Sequence, residues 1–153
     1  MENAVVRPPS PRNEPIKGYL PGSAEKAELK AVLKRLAGDP VEIPLWIGGR
    51  PVRTGNLGDC RMPHDHRHLL GRYHKAGGKE ARAAVRAALK ARRDWAATPW
   101  EARAAILLRA ADLLAGRWRA TLNAATMLGQ SKTVFQAEID AALAAVAHRA
   151  QVQ

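Results

Sequence analysis

The densest group of potential metal ligands in the sequence is the run HDHRH over residues 64–68. On a strand, residues two apart share a face, so the imidazoles of His64, His66 and His68 could converge on Zn²⁺ or Ni²⁺. The alternative is a polar turn leading into the next strand, with neighbouring arginines that would repel a cation, namely Arg61, Arg67 and Arg72. Three closely spaced ligands are a weak pattern beside the usual metal signatures, and we predict no metal site here.

A second group of residues is basic. Five cations recur at intervals of three or four residues and would form one stripe on a helix: Lys79, Arg82, Arg86, Lys90 and Arg93. Such a stripe could follow nucleic-acid phosphates, and the formal net charge of +11 favours an acidic partner. The alternative is the solvated face of an amphipathic helix. Because no nucleic-acid module signature or aromatic ladder accompanies the stripe, we predict the solvated face and keep nucleic-acid binding as an alternative function.

The third candidate is Cys60, the single cysteine of the chain. It follows Gly58-Asp59 in an extended stretch, whereas a helix N-terminus would favour a reactive thiolate. A cysteine in a strand usually serves as a small apolar residue, so we predict no catalytic residue at this position. The sequence has no glycine-rich phosphate loop after a strand and no GxSxG motif. These residues by themselves therefore name no reaction.

The length and composition of the chain limit the kinds of secondary structure and fold that could position these groups. A chain of 153 residues suits one domain, and its 46% hydrophobic share is dominated by alanine with only 5% aromatic residues. This composition predicts a shallow and mostly α-helical core. No apolar run approaches the ~20 residues that span a bilayer. The N-terminal residues lack the apolar core of a signal peptide, and one cysteine permits no intramolecular disulfide. We expect a soluble protein of a reducing compartment, with no membrane partner.

The chain divides into an extended, proline-rich arm over residues 1–22 and a folded part over residues 23–153. A helix over residues 23–37 is expected to begin after Ser23 and to end at a left-handed Gly38. A few short strands are expected over residues 43–75: a run over 43–47, a Gly48-Gly49 turn, a return over 51–54, a turn over 55–58 and a strand within 64–74. These strands are too few for a self-contained sheet and need partner strands.

Helices are predicted to fill residues 79–150, the first of them over 79–96. The run Thr98-Pro99-Trp100-Glu101 is typical of a capping box with proline at the first helical position, and it opens a helix that ends at Gly116. A third helix over 117–128 is expected to stop at Gly129. The fourth begins near Ser131 or Thr133.

A resemblance to a known family is more specific than any of these patterns. The chain is similar to the N-terminal part of the L-glutamate γ-semialdehyde dehydrogenases, also called Δ1-pyrroline-5-carboxylate dehydrogenases, of the aldehyde dehydrogenase superfamily. Five stretches in order carry the resemblance: Asn13-Glu14-Pro15 with Pro21-Gly22-Ser23, VEIPLWIGGRPVRTG from residue 41, Met62-Pro63-His64-Asp65-His66, AALKARRDWAATPWEARAAILLRAADLLAG from residue 87, and LNAATMLGQSKTVFQAEIDAA from residue 122.

The resemblance implies an α/β fold for the complete family member and an NAD⁺-dependent oxidation of glutamate γ-semialdehyde to glutamate, the last step of proline breakdown. In the family, a cysteine thiolate attacks the aldehyde, hydride passes to NAD⁺ and a glutamate-activated water releases the acid. The nucleophilic cysteine and the nucleotide-binding strands of the family lie downstream of Gln153. We therefore expect an incomplete N-terminal portion, a truncated family member that is inactive alone and binds no NAD productively.

The resemblance assigns one functional position, a substrate-binding role for Glu138, since a glutamate on the matching helix approaches the substrate's amino group. The alternative is a surface carboxylate, as expected for Asp140. Exposed apolar stripes on the helices, such as Phe135 and Ile139, would favour self-association or docking on a full-length dehydrogenase. The alanine and arginine richness suggests a bacterial cytoplasm, whereas a eukaryotic relative would be in the mitochondrial matrix.

Overall fold

Five helices and five short strands follow one another in residues 14–150, the part of the chain described by the computed structural model. Side chains are described for residues 14–142, so the first half of the predicted arm lies outside the described residues. The helices are α1 (Ala24–Gly38), α2 (Gly78–Ala97), α3 (Trp100–Ala115), α4 (Arg119–Gln130) and α5 (Val134–Ala150). The strands are β1 (Val41–Ile43), β2 (Leu45–Ile47), β3 (Arg50–Val52), β4 (Leu57–Met62) and β5 (Asp65–His74). The prediction of a mostly helical chain with a few short strands is confirmed.

The strands pair with one another, and the expectation that they need further partner strands stays a prediction. They form a three-stranded sheet in the order β1-β5-β4 and a separate β2–β3 hairpin. The third strand of this sheet is β1, which pairs in parallel with β5 so that Val41 lies opposite Gly71. Pro44 divides the predicted 43–47 strand, and its two halves join different sheets. The Gly48-Gly49 turn is confirmed, since both residues have positive φ angles, as a two-residue hairpin turn requires.

Several predicted helix ends differ from the structure. Helix α1 ends with an extended Asp39, because Pro40 disfavours a helical conformation in the residue before it, and Gly38 is not left-handed. The capping box at Thr98 is wrong: helix α3 begins at Trp100, and the Thr98 hydroxyl donates instead to the carbonyl of Asp94 at the end of α2.

The junction between α4 and α5 also differs from its prediction. Helix α4 continues through Gly129, and Ser131 takes the left-handed position at φ 55°. The Ser131 hydroxyl lies 2.7 Å from His64 Nδ1, a contact that no local signal predicts. The predicted start at Thr133 is confirmed by a reciprocal cap, in which the Thr133 hydroxyl accepts from the Gln136 amide and the Gln136 side chain accepts from the Thr133 amide.

The buried apolar residues are small, as the composition predicts. One cluster joins the N-terminal segment, α1 and α4 through Tyr19, Leu29 and Ala124. Helices α3 and α5 pack through buried alanines, which allow close approach: Ala104, Ala111, Ala137 and Ala141. None of the helices in the described residues is long and apolar enough to cross a membrane.

Candidate functional site

Together with Asn123, Glu138 is one of two polar residues in the described chain whose side chain has no exposed surface. Two turns of helix α4 bring Arg119 and Asn123 beside it, because residues four apart share one helix face. The N-terminal segment crosses the same position with Tyr19, which is also buried. Three separate parts of the chain therefore meet at one carboxylate. We call Tyr19, Arg119, Asn123 and Glu138 the Glu138 cluster.

Four groups donate hydrogen bonds to this carboxylate. Oε1 accepts from the Lys17 amide at 2.7 Å and from Arg119 Nη2. Oε2 accepts from the Tyr19 hydroxyl at 2.7 Å, from Asn123 Nδ2 at 2.7 Å and from Arg119 Nε at 3.2 Å. A carboxylate oxygen has two lone-pair sites, so both oxygens are fully occupied by the protein itself.

Arg119 extends the cluster to the start of the described chain. Its Nη2 donates to the carbonyl of Pro15 at 2.6 Å, and its Nη1 lies 3.7 Å from the Glu14 carboxylate. Tyr19 adopts a left-handed φ of 51°, which costs free energy in a non-glycine residue. The hydrogen bonds of the Tyr19 hydroxyl to Glu138 and Asn123 hold it there. The cluster thus fixes residues 14–20 across helices α4 and α5.

The pKa of Glu138 follows from these contacts. Burial by itself would raise the pKa of the carboxyl, but the donors from Arg119, Lys17, Tyr19 and Asn123 outweigh it and lower the pKa to about 2. Burial and the neighbouring carboxylate raise the pKa of the Tyr19 hydroxyl. At neutral pH the cluster therefore holds an ionised Glu138, an ionised Arg119 and a neutral Tyr19.

The sequence placed only Glu138 in this site. Its alternative interpretation as a surface carboxylate is wrong, whereas Asp140 is exposed as expected and lies 2.5 Å from Lys132 Nζ. The substrate-binding role of Glu138 stays a prediction. Arg119 and Asn123 were missed, although both interrupt the buried face of α4 that Ala120 and Ala124 form. A polar pair at this spacing on an apolar helix face is the signal that could have found them.

The histidines of the HDHRH run attach the sheet to its neighbours. His64 lies beside Ser131, at the junction of α4 and α5, and His68 Nε2 lies 2.8 Å from the carbonyl of Ala37 in α1. His66 is exposed. Within the described residues no three histidine, cysteine, aspartate or glutamate side chains come together as a metal site would need.

His74, at the other end of β5, has a defined hydrogen-bond role. Its Nδ1 accepts from the amides of Thr54 at 3.0 Å and Gly55 at 3.2 Å. The proton is therefore assigned to Nε2, which lies 2.9 Å from Glu42 Oε1. The hydrogen bonds from His74 and Arg53 lower the pKa of the Glu42 carboxyl. His74 fastens β1 and the 54–55 turn to β5.

The other two candidates have plain surroundings. Cys60 is half-buried and lines an apolar recess of about 160 Å³ together with Leu36, Leu70 and Leu128. The five basic residues of the predicted stripe on α2 are all exposed, as a solvated helix face would be. Nucleic-acid binding by this stripe stays a prediction.

The turn between β5 and α2 is the one described place where a strand, two glycines and a long helix follow one another. Such a turn could receive a phosphate at the helix N-terminus. Here Glu80 Oε2 accepts from the Gly77 amide at 2.9 Å, so a carboxylate of the chain already occupies that position. The negative charge of Glu80 disfavours a second anion at this helix N-terminus.

Comparison with known proteins relates this arrangement to one family. The profile of the aldehyde dehydrogenase family matches residues 53–152. The chain is 46% identical over 140 residues to a Δ1-pyrroline-5-carboxylate dehydrogenase of Agaricus bisporus, covering 91% of this chain and 26% of that protein. It is 39% identical over 134 residues to a mitochondrial Δ1-pyrroline-5-carboxylate dehydrogenase of Dictyostelium discoideum, covering 88% of this chain and 24% of that protein.

A solved structure agrees with the sequence relatives. The Δ1-pyrroline-5-carboxylate dehydrogenase of Mycobacterium tuberculosis, bound with NAD and cobalamin, superposes with a TM-score of 0.89 at 49% identity. The match covers 93% of this chain and 27% of that one. The chain thus spans about a quarter of the length of the relatives it matches.

Proposed function

Because the chain belongs to the aldehyde dehydrogenase family, we propose that it supplies the first quarter of a Δ1-pyrroline-5-carboxylate dehydrogenase. The observation that carries the proposal is the 49% identity and TM-score of 0.89 with the M. tuberculosis enzyme across 93% of this chain. A similarity of this degree over nearly the whole chain supports a shared reaction as well as a shared fold. The complete protein would oxidise glutamate γ-semialdehyde to glutamate, with NAD⁺ taking the hydride to become NADH, water supplying the added oxygen and two protons released.

In this proposal the chemistry requires the part of the fold that this quarter does not contain. NAD⁺ would accept the hydride when bound, and the Glu80 carboxylate at the N-terminus of α2 disfavours its pyrophosphate at the β5–α2 turn. Cys60 lines an apolar recess and is not placed as a nucleophile. The contribution of the described residues would be a preformed block of helices and sheet, with its N-terminal segment fastened by the Glu138 cluster.

The exposed apolar residues of the helices suggest which kind of partner the chain would bind. Phe135 is 62% exposed, and Ile106 on α3 is exposed as well. Such faces would dock on the rest of a dehydrogenase polypeptide or on a second copy of the chain. We place the complete protein in the cytoplasm of a bacterium, or in the mitochondrial matrix of a eukaryote.

The test is a chimera in which this chain replaces the matched 27% of the M. tuberculosis enzyme. We expect the chimera to form NADH from Δ1-pyrroline-5-carboxylate and NAD⁺ at a rate within about tenfold of the parent, and the chain alone to form none. The parent enzyme and a chimera with a scrambled insert are the controls. A chimera that is soluble and melts cooperatively, but does not turn over, would contradict the proposal.

The same chimera decides the role of Glu138. A substrate-binding carboxylate has to exchange one of its present donors for the substrate's ammonium group, so Glu138→Gln would raise KM and leave the melting temperature unchanged. A carboxylate that fastens the N-terminal segment gives the opposite pattern, a lower melting temperature with KM nearly unchanged. We expect the second pattern because both oxygens are already saturated.

A further inference from the structure

Helix α2 is the least covered helix of the described chain. None of its 20 residues is buried. Val85 and Leu89, one turn apart, are 59% and 60% exposed, and Trp95 is 46% exposed. With Arg92, which lies two turns after Val85, they form a continuous strip that we call the α2 face. An amphipathic helix in a folded protein normally buries such a strip.

The helix touches the rest of the described chain with a different side. Ala83 and Ala87 are its half-buried residues in that direction, together with the capping Glu80. A Cβ built on Gly48, in the β2–β3 turn, would lie 3.6 Å from the Ala87 Cβ. The α2 face points away from this contact, since Val85 and Ala87 are two residues apart on a helix. No described residue of the chain therefore covers it.

We infer that the α2 face is the docking surface for the three quarters of the dehydrogenase polypeptide that this chain does not span. The inference rests on the proposed function. The relatives place about 74% of their length outside the matched region, which is ample polypeptide to cover a strip of about three helical turns. The five basic residues lie along one flank of the strip, so the covering surface should carry carboxylates near them.

Arg92 distinguishes this occupant from a lipid surface. A helix that lies on a membrane keeps its cations on the polar side, away from the inserted strip. Arg92 stands in the middle of the α2 face, where lipid tails would have to desolvate it. A protein surface can meet it with a carboxylate, because a guanidinium forms geometrically specific bonds with one.

The experiment compares thiol labelling in the isolated chain and in the chimera, read peptide by peptide so that Cys60 is counted separately. The probe is Leu89→Cys, on the α2 face, and the control is Lys90→Cys, the next residue, about 100° round the helix. We expect Leu89→Cys to label at least tenfold more slowly in the chimera than in the chain. Lys90→Cys should label at similar rates in both. Oxidation of Trp95 by hydroxyl radicals gives the same comparison in unsubstituted proteins.

Each outcome separates the inference from the proposed function. An active chimera in which Leu89→Cys labels as fast as in the chain overturns the inference and leaves the proposed function standing. An inactive chimera overturns the proposed function, and the inference falls with it. Protection in the isolated chain that grows with its concentration, or that anionic phosphatidylserine vesicles produce, assigns the α2 face to a second copy or to lipid and also overturns the inference.

Discussion

Removing the charge of Glu138 should cost more stability than any other conservative change in the described chain. Glu138→Gln keeps the volume of the side chain but places an amide NH₂ among the donors of Arg119, Tyr19 and Asn123. It also removes the nearer of two carboxylates beside the buried guanidinium of Arg119 and leaves only Glu14, whose carboxylate lies 3.7 Å away. Breaking a buried ion pair from one side costs about 3–5 kcal/mol. A domain of this size has only about 5–15 kcal/mol in total, so the loss would be a large part of it.

The measurement is urea unfolding followed by far-UV circular dichroism. With an m-value of about 2 kcal/mol per molar urea, a loss of about 4 kcal/mol lowers the midpoint by roughly 2 M. Trypsin cleavage after Lys17 should accelerate in parallel, because the Lys17 amide loses its carboxylate acceptor and Arg119, which donates to the Pro15 carbonyl, loses the charge that positions it.

The matched control is Asp140→Asn, on the same helix. Asp140 is exposed and pairs with Lys132 at 2.5 Å, and an exposed pair contributes only about 0–1 kcal/mol. The reasoning is refuted if Glu138→Gln and Asp140→Asn shift the midpoint equally, or if trypsin cleaves both variants at the rate of the parent. Glu138 would then be free of a fastening role, and the substrate role implied by the resemblance would be favoured.

A pH titration and two glycine substitutions give three further predictions. Folding lowers the pKa of Glu138 from 4.5 to about 2, so the stability that its charge contributes is fully present above pH 4.5 and is lost as the pH falls towards 2. The difference in stability between the chain and Glu138→Gln should therefore shrink over that pH range. Unfolding midpoints measured at a series of acid pH values test this. Gly71→Ala should destabilise the chain by about 1–3 kcal/mol, because its Cβ would lie 2.4 Å from the Val41 carbonyl oxygen and push β1 away. Gly129→Ala, where a Cβ meets no atom within 4 Å, should stabilise helix α4 by about 0.5–1 kcal/mol, and an equal response of the two glycines in urea melts would contradict both expectations.

The sequence predicted those helix ends and turns that are determined by neighbouring residues. Ser23 caps α1, and its hydroxyl accepts from the Lys26 amide at 3.4 Å. Gly48-Gly49 makes the hairpin turn, and the return strand follows it as predicted. These features depend on residues within a few positions of each other, so they can be recognised in the sequence alone.

Contacts between distant residues explain most of the failures. The parallel pairing of β1 with β5 joins Val41 to Gly71, and no property of either short strand announces the other. Ser131 rather than Gly129 takes the left-handed position, and its hydroxyl meets His64, which is 67 residues away. Glu138 was found by resemblance, but its surroundings depend on Lys17 and Tyr19, more than a hundred residues earlier.

The described side chains combine a buried polar cluster with large apolar groups at the surface. The largest fully buried side chains in the described residues are Glu138 and Asn123, and most of the buried apolar residues are alanines. All four tryptophans of the chain are exposed, by 42–70% of their surface. Tryptophan is highly buried on average, so a folded protein in which all four tryptophans are exposed is unusual. The exposure agrees with the docking that we propose. The polar cluster explains how the N-terminal segment is held across α4 and α5, while the large apolar side chains, those of α2 among them, are exposed for the contact that we propose with the rest of a dehydrogenase polypeptide.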